Sequence, residues 1–273
     1  MTDRTEELIR QFSPQLIHAP VSRNDLEGVI EKLVSLMFPV CDCRKPVSVR
    51  EELQAAGEKL HVNIAALTGE RRADEITESF FRQLLPLRER LYEDACCYLK
   101  ADPAAKSLEE VILAYPGFHA LCVHRVAHGM HLLGVPLIAR IFSEYAHSKV
   151  GIDIHPAAGI GKNLFMDHGT GIVIGETAEI GDNVKIYQGV TLGALYVEKK
   201  LSDVKRHPTV EDNVVIYANA TILGGKTVIG HDSVIGGGAW LTRSVAPSSL
   251  VTNSIDVKIR TVKDSSDSCD FGI

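Results

Sequence analysis

The sequence predicts an α+β chain: an α-helical domain over residues 1–148, a parallel β-helix of hexapeptide repeats over 149–250, and a tail over 251–273. Three observations predict it. Fifteen of the 22 glycines fall between Gly151 and Gly238. Before that stretch, apolar residues recur at helical spacing; within it, they recur every six residues. A helix has a period of 3.6 and a simple strand a period of 2, so a row of sixes needs another geometry. A triangular coil supplies it, with a short strand on each side and one branched aliphatic per side pointing inward.

The N-terminus, Met1 to Glu7, is polar and partly acidic and lacks the apolar core of a secretory signal. Asn24 followed by Glu27 reads as an N-cap with its reciprocal partner, opening a helix over Asp25 to Met37 that Pro39 stops. Leu53, Ala56, Leu60, Ile64 and Leu67 form one buried helical stripe. A longer helix is expected from about Arg72 to Leu99, bent or broken at Pro86, where the ring removes a donor and crowds the preceding turn. Ser107 and Glu110 make a second capping pattern. Gly117 is expected to separate that helix from one running to about Leu133. Pro136 opens a last helix ending near His147.

The six-residue rows begin after Gly151. Ile174, Ile180, Ile186 and Leu192 form one; Val210, Ile216, Ile222, Val228 and Val234 form another. Between them the pattern fails. Glu198 would fall on an inward position, and a carboxylate cannot sit unpaired in an aliphatic core. Residues 194–206, with Lys199, Lys200 and Asp203, are therefore expected to leave the coil as a protruding loop, the kind of segment on which sites are built.

Composition narrows the function. The net charge of −6 offers no basic field for nucleic acid or a membrane surface. The most apolar stretch, Leu132 to Phe142, is interrupted by Arg140 and is too short to span a bilayer. Cys41, Cys43, Cys96, Cys97, Cys122 and Cys269 show no paired C-x-x-C spacing, so no zinc site is expected, and free thiols fit a cytoplasmic chain.

Four polar clusters stand out: Asp153-Ile154-His155-Pro156, Asp167-His168-Gly169-Thr170-Gly171, Lys205-Arg206-His207-Pro208 and Asp102-Pro103. His168 is the candidate general base, because an unperturbed imidazole titrates at about pH 6.5. Asp153, fifteen residues earlier and nearly one coil away, is the candidate carboxylate to orient it. Arg206 offers a forked donor to a carboxylate. Asp102 and Asp167 could hold an ammonium group. Together these residues suit a zwitterionic amino acid with a reactive hydroxyl. His155, fixed before Pro156, reads as a structural corner residue.

The strings Tyr115–Leu121 (YPGFHAL), Asp153–Gly161 (DIHPAAGIG), Asp167–Ala178 (DHGTGIVIGETA), Gln188–Gly193 (QGVTLG) and Lys205–Pro208 (KRHP) resemble the serine O-acetyltransferase family from about Asp102 to Ser244. The resemblance implies a left-handed β-helix that moves an acetyl group from acetyl-CoA to L-serine, the first step of cysteine synthesis from serine. It implies His168 as general base supported by Asp153, and serine held by Asp102, Asp167, Arg206 and His207. Ala194 and Ala218 would lie along the bound coenzyme, with no metal. It further implies a site between the subunits of a trimer, pairing of trimers into a hexamer through the helical domain, and L-cysteine as a competing feedback inhibitor. The C-terminal Ile273 would enter O-acetylserine sulfhydrylase, a capture of a terminal carboxylate. The chain departs from many members by Ala194 after Leu192-Gly193 and by the segment following Val251.

Three other readings use the same residues. Another hexapeptide acyltransferase would act on a sugar or a different amine, which Arg206 disfavours. A β-helix metalloenzyme would need three of His155, His168, His207 and His231 to converge. A scaffold would keep the coil only to recruit a partner through the tail.

Overall fold

Helices occupy the first half of the chain and short strands the second. The computed structural model describes residues 3–12, 19–38, 48–195 and 204–253. Cys41, Cys43, Pro39, the loop charges Glu198, Lys199, Lys200 and Asp203, and the tail with Cys269 and Ile273 lie outside them. The helices are α1 (Asp3–Phe12), α2 (Arg23–Met37), α3 (Val49–Thr68), α4 (Glu70–Ala101), α5 (Leu108–Ala114), α6 (Pro116–Leu132) and α7 (Pro136–Val150).

Three sequence expectations are corrected here. The cap of α2 is Ser22, whose Oγ accepts the Asp25 N–H at 3.3 Å. Asn24 lies inside the helix, and Glu27 pairs with Arg23 one turn back at 2.7 Å. Secondly, α4 runs for 32 residues through Pro86, so of the expected bend or break the break is absent. Packing on both sides of the proline outweighs the lost hydrogen bond. Ala73, Ile76 and Phe80 enter a core with α2, α3 and α7, while Leu91, Ala95 and Tyr98 enter a second core with the strands. Thirdly, α5 and α6 part at Tyr115, with Pro116 as the first helical residue of α6. Gly117 lies inside α6, where an added Cβ would stand 2.2 Å from the Met166 carbonyl oxygen, so the glycine permits the helix to touch the coil. The Ser107 cap is present, its Oγ accepting the Glu110 N–H at 3.2 Å.

Among the described residues, fourteen strands of two or three residues follow: β1 (Asp153–Ile154), β2 (Gly159–Ile160), β3 (Phe165–Asp167), β4 (Val173–Ile174), β5 (Glu179–Ile180), β6 (Lys185–Tyr187), β7 (Thr191–Gly193), β8 (Thr209–Val210), β9 (Val215–Ile216), β10 (Thr221–Leu223), β11 (Val228–Ile229), β12 (Val234–Ile235), β13 (Trp240–Leu241) and β14 (Leu250–Val251). They form three parallel sheets, the sides of a triangular coil. Side A is β1-β4-β7-β10-β13, side B is β2-β5-β8-β11, and side C is β3-β6-β9-β12-β14.

The register measures each coil. Ile174 pairs with Leu192, a coil of eighteen residues, as the hexapeptide rule requires. Met166 pairs with Ile186, which is twenty, so the first C–A corner carries two extra residues. Ile180 pairs with Val210, which is thirty, twelve more than a regular coil. Val210 pairs with Ile229, which is nineteen. That single addition, in the turn where Thr227 Oγ1 donates to the Leu223 carbonyl at 2.7 Å, slips the second row. Ile229 and Ile235 therefore point inward, fully buried, in place of the expected Val228 and Val234.

The helical half closes the open end of the coil. Tyr98, Phe118 and Leu121 pack on Phe165, Met166 and Ile152. The Tyr98 hydroxyl accepts the Met166 N–H at 3.0 Å. Arg125 and Asp94 form a buried forked pair, at 2.6 and 3.0 Å. Arg125 also donates to the Gly161 carbonyl at 2.9 Å, and Asp94 accepts the Asn163 N–H at 3.0 Å. One charge pair thus ties α4 and α6 to the first B–C corner. Breaking such a pair strands a buried charge.

Candidate active site

The candidate residues collect on two corners of the coil: carboxylates with His168 on one, and Arg206 with His207, beside Glu176, on the other. The first C–A corner is acidic. Asp167 ends β3, and His168 and Gly169 are the two residues by which this coil exceeds eighteen. His168 holds the left-handed region at φ 56°, followed by Gly169 at 82° and Gly171 at 79°. Asn163, Asn183, Asn213, Asn219, Asp232 and Ser248 hold the same region, so His168 shares a backbone conformation that recurs along the coil. The excursion leaves the His168 side chain 71% exposed, with Nε2 3.9 Å from Asp167 Oδ1.

Asp102 reaches the same corner from the end of α4. Its Oδ2 accepts the Tyr115 hydroxyl at 2.5 Å and its Oδ1 accepts the Ala104 N–H at 2.8 Å. The Tyr115 hydrogen bond, then the Ala104 bond, then the nearby His168 hold its carboxyl below the usual carboxylate range. In return, the bond to Asp102 pushes the Tyr115 phenol up to about 12.

The A–B corner pairs cations with carboxylates, Lys205 lying 3.2 Å from Glu179. Arg206 forms an ion pair there with Glu176. Burial pushes the Glu176 carboxyl up, but the Arg206 hydrogen bond and the charges of His155, Arg206 and His207 win, and it lies below its ordinary range. His207 is buried over Gly175. Burial, then the Arg206 charge, depress its imidazole to about 4. His155 stands on this corner too, its Nδ1 accepting the Ala157 N–H at 3.1 Å, with burial lowering its basicity.

Asp153 departs from the sequence expectation. Because the first coil has twenty residues, its register partner is Val173, five residues beyond His168. No hydrogen bond or ion pair joins Asp153 to His168 within the chain. Its carboxylate instead groups with Glu144 and His147 of α7, the three ligand atoms lying within 4.8 Å of one another. The four histidines of the metalloenzyme reading do not converge within one chain: His168 is on the C–A corner, His155 and His207 on the A–B corner, and His231 on a B–C corner bonded to Asp232 at 2.7 Å. Ala194 directly follows β7, and Ala218 sits on a C–A corner, its carbonyl accepting the Gly238 N–H at 2.9 Å. Sequence reasoning missed Tyr115, Glu176 and Thr177. Their position beside Asp102 and Arg206 depends on corner stacking, which no local spacing reveals.

A groove of about 680 Å³ on side B, lined by Glu179, Thr209, Glu211 and His231, contains none of Asp102, Asp153, Asp167, His168, Arg206 and His207. Among the described residues, no helix is long and apolar enough to cross a membrane.

No protein-family model matches the chain. A serine acetyltransferase of Synechococcus elongatus is 48% identical over 187 residues, 67% of this chain and 58% of that protein. The chain spans little more than half the length of the first curated relatives it matches, 58% and 56%. The solved structure of serine acetyltransferase isoform 3 of Entamoeba histolytica, in complex with cysteine, superposes with a TM-score of 0.78 at 34% identity, covering 95% of each chain. A soybean serine acetyltransferase complexed with serine gives 0.59 at 30% identity, covering 92% of this chain and 90% of that one.

Proposed function

The chain belongs to the serine acetyltransferase family, and on that premise we propose that it transfers an acetyl group from acetyl-CoA to the hydroxyl of L-serine. The observation that carries this reading is the placing of two carboxylates, Asp102 and Asp167, on one corner and of the forked donor Arg206, beside His207, on another. L-serine is a zwitterion. Asp102 and Asp167 suit its ammonium group, and Arg206 with His207 suits its carboxylate. Five residue steps along side A, from Gly171 to Glu176, separate the corners, roughly 16 Å at strand rise. One serine cannot bridge that span. The C–A corner of one copy must therefore meet the A–B corner of a neighbour, as in a cyclic trimer. The same packing would bring Asp153 of one copy toward His168 of the next.

In this arrangement His168 takes the proton from the serine hydroxyl as the oxygen attacks the thioester carbonyl of acetyl-CoA. Main-chain N–H groups of the coil stabilise the oxyanion. The carbon–sulfur bond breaks, and His168 returns the proton to the departing thiolate. Ala194 and Ala218 lie along the coenzyme, and no metal takes part. L-Cysteine, carrying a thiol for the hydroxyl, enters the same pocket as an inhibitor. Trimers pair through the helical domain, and the enzyme works in the cytoplasm. The tail binds O-acetylserine sulfhydrylase through Ile273, so deleting that residue abolishes co-elution with the sulfhydrylase; unchanged co-elution would sink the partner proposal.

Thiol release from acetyl-CoA tests the reaction. Release that depends on L-serine, and is absent with a galactoside, supports it. Release with the galactoside alone would keep the fold and replace the function.

A further inference from the structure

The segment 205–207 lies against Thr177 on the A–B corner. The Thr177 hydroxyl oxygen accepts the main-chain N–H groups of Arg206 at 2.9 Å and His207 at 3.0 Å. The same oxygen lies 3.0 Å from His207 Nδ1. The Thr177 N–H donates to that Nδ1 at 3.1 Å, and Lys205 Nζ donates to the Thr177 carbonyl at 3.0 Å.

The proton count follows from these contacts. Two N–H donors fill both lone pairs of the hydroxyl oxygen, so its own proton is left to point at Nδ1. With the Thr177 N–H aimed there as well, Nδ1 must be an acceptor. The neutral ring therefore carries its proton on Nε2. Burial and the Arg206 charge keep the ring neutral well below pH 7. No hydrogen bond among the described residues occupies Nε2. Gly175 makes room for that edge, since an added Cβ would stand 2.1 Å from Nε2.

Resting on the serine acetyltransferase reading, we infer that Thr177 is the positioning residue for the acceptor's carboxylate: it pins the Arg206 main chain and sets His207 as a neutral Nε2–H donor. Arg206 then supplies charge and His207 a directed hydrogen bond. An acceptor that lacks a carboxylate gains nothing from either. Thr177 thereby sets the preference for an amino acid over an amino alcohol.

The test compares L-serine with ethanolamine, which keeps the amine and hydroxyl but has no carboxylate. Thr177→Val preserves the side-chain shape and removes the hydroxyl. It should lower kcat/KM for L-serine about tenfold through KM, ~1.4 kcal/mol, and change ethanolamine turnover by less than about twofold. Thr177→Ser should restore the L-serine value. In protein with ¹⁵N-labelled histidine, identified by comparison with His207→Gln, the wild-type ring should be neutral with its proton on Nε2. Equal losses on both acceptors would mark a merely structural role and overturn the inference. Unchanged kinetics in Thr177→Val, or a wild-type ring protonated on Nδ1, would overturn it as well. Wild-type protein that does not acetylate L-serine overturns the function reading itself, whereas serine turnover with undiminished discrimination in Thr177→Val overturns this inference alone.

Discussion

Gly175→Ala should damage serine binding while leaving the protein folded. The His207 ring lies where an alanine methyl would go: a Cβ at residue 175 would stand 2.0 Å from Cδ2 and 2.1 Å from Nε2. Carbon contacts settle at about 3.5 Å or more, so the ring must retreat by about 1.5 Å. That stretches the Thr177 contacts to Nδ1, now 3.1 and 3.0 Å, beyond hydrogen-bonding range. Two such bonds contribute about 0.5–1.5 kcal/mol each, so the loss is ~1–3 kcal/mol, or roughly 5- to 150-fold in kcat/KM for L-serine. Overpacking costs about 1–3 kcal/mol of stability, which a folded domain can absorb. Serine saturation curves at fixed acetyl-CoA, with a melting curve beside them, measure both effects. A folded Gly175→Ala protein whose KM for L-serine stays within about twofold of wild type would refute the placement of His207 in the acceptor site.

Three further outcomes follow from the packing and the titrations. Asp94→Ala leaves Arg125 charged and buried between α4, α6 and the first coil, and should cost about 3–5 kcal/mol in urea unfolding; a loss below about 1 kcal/mol would contradict that role. Gly117→Ala drives a methyl toward the Met166 carbonyl, 2.2 Å away, and should lower the melting temperature by separating α6 from β3; an unchanged melting curve would count against the docking. Tyr115→Phe removes the hydrogen bond that holds Asp102 below its ordinary range, so the Asp102 carboxyl should rise, as an NMR titration of that side chain would read. The stability sign agrees: a depressed carboxyl stabilises the fold above its ordinary value, and that contribution fades as pH falls through the folded value. The wild-type advantage over Tyr115→Phe should therefore shrink in acid, and a pH-independent difference would contradict the pairing.

Much of the fold was legible because the inward residues of a coil are chemically distinctive. Ile174, Ile180, Ile186 and Leu192 could be counted, and all four are buried. The second row was misread after Ile222 for a physical reason. Val228 and Ile229 are both branched aliphatics, as are Val234 and Ile235, so composition cannot choose between them, and the extra residue in the Thr227 turn decides. Pro86 was weighed by its local cost, but the two cores that grip α4 on either side are tertiary. Asn24 and Ser22 are both good caps, and the choice fell to Ser22, whose N–H also reaches Asn63 Oδ1 at 2.7 Å. Within the site, His168, Asp102 and Arg206 could be singled out as candidates from their residue types, and His207 from the family strings. Their separation onto two corners was not legible, since it depends on the twenty-residue first coil and on the thirty residues from Ile180 to Val210.

The central claim is that the C–A corner of one copy and the A–B corner of the next form one acceptor site. Mixing two inactive variants tests it most directly. His168→Ala spoils only the C–A corner, and Arg206→Ala only the A–B corner. Each alone should release little thiol with L-serine. Co-expressed or co-refolded, they should recover about a quarter of wild-type activity, because random assembly joins an intact C–A corner to an intact A–B corner at one junction in four. Recovery near that level is the predicted result. Mixed assemblies as inactive as their parents would contradict it and return the whole site to a single chain.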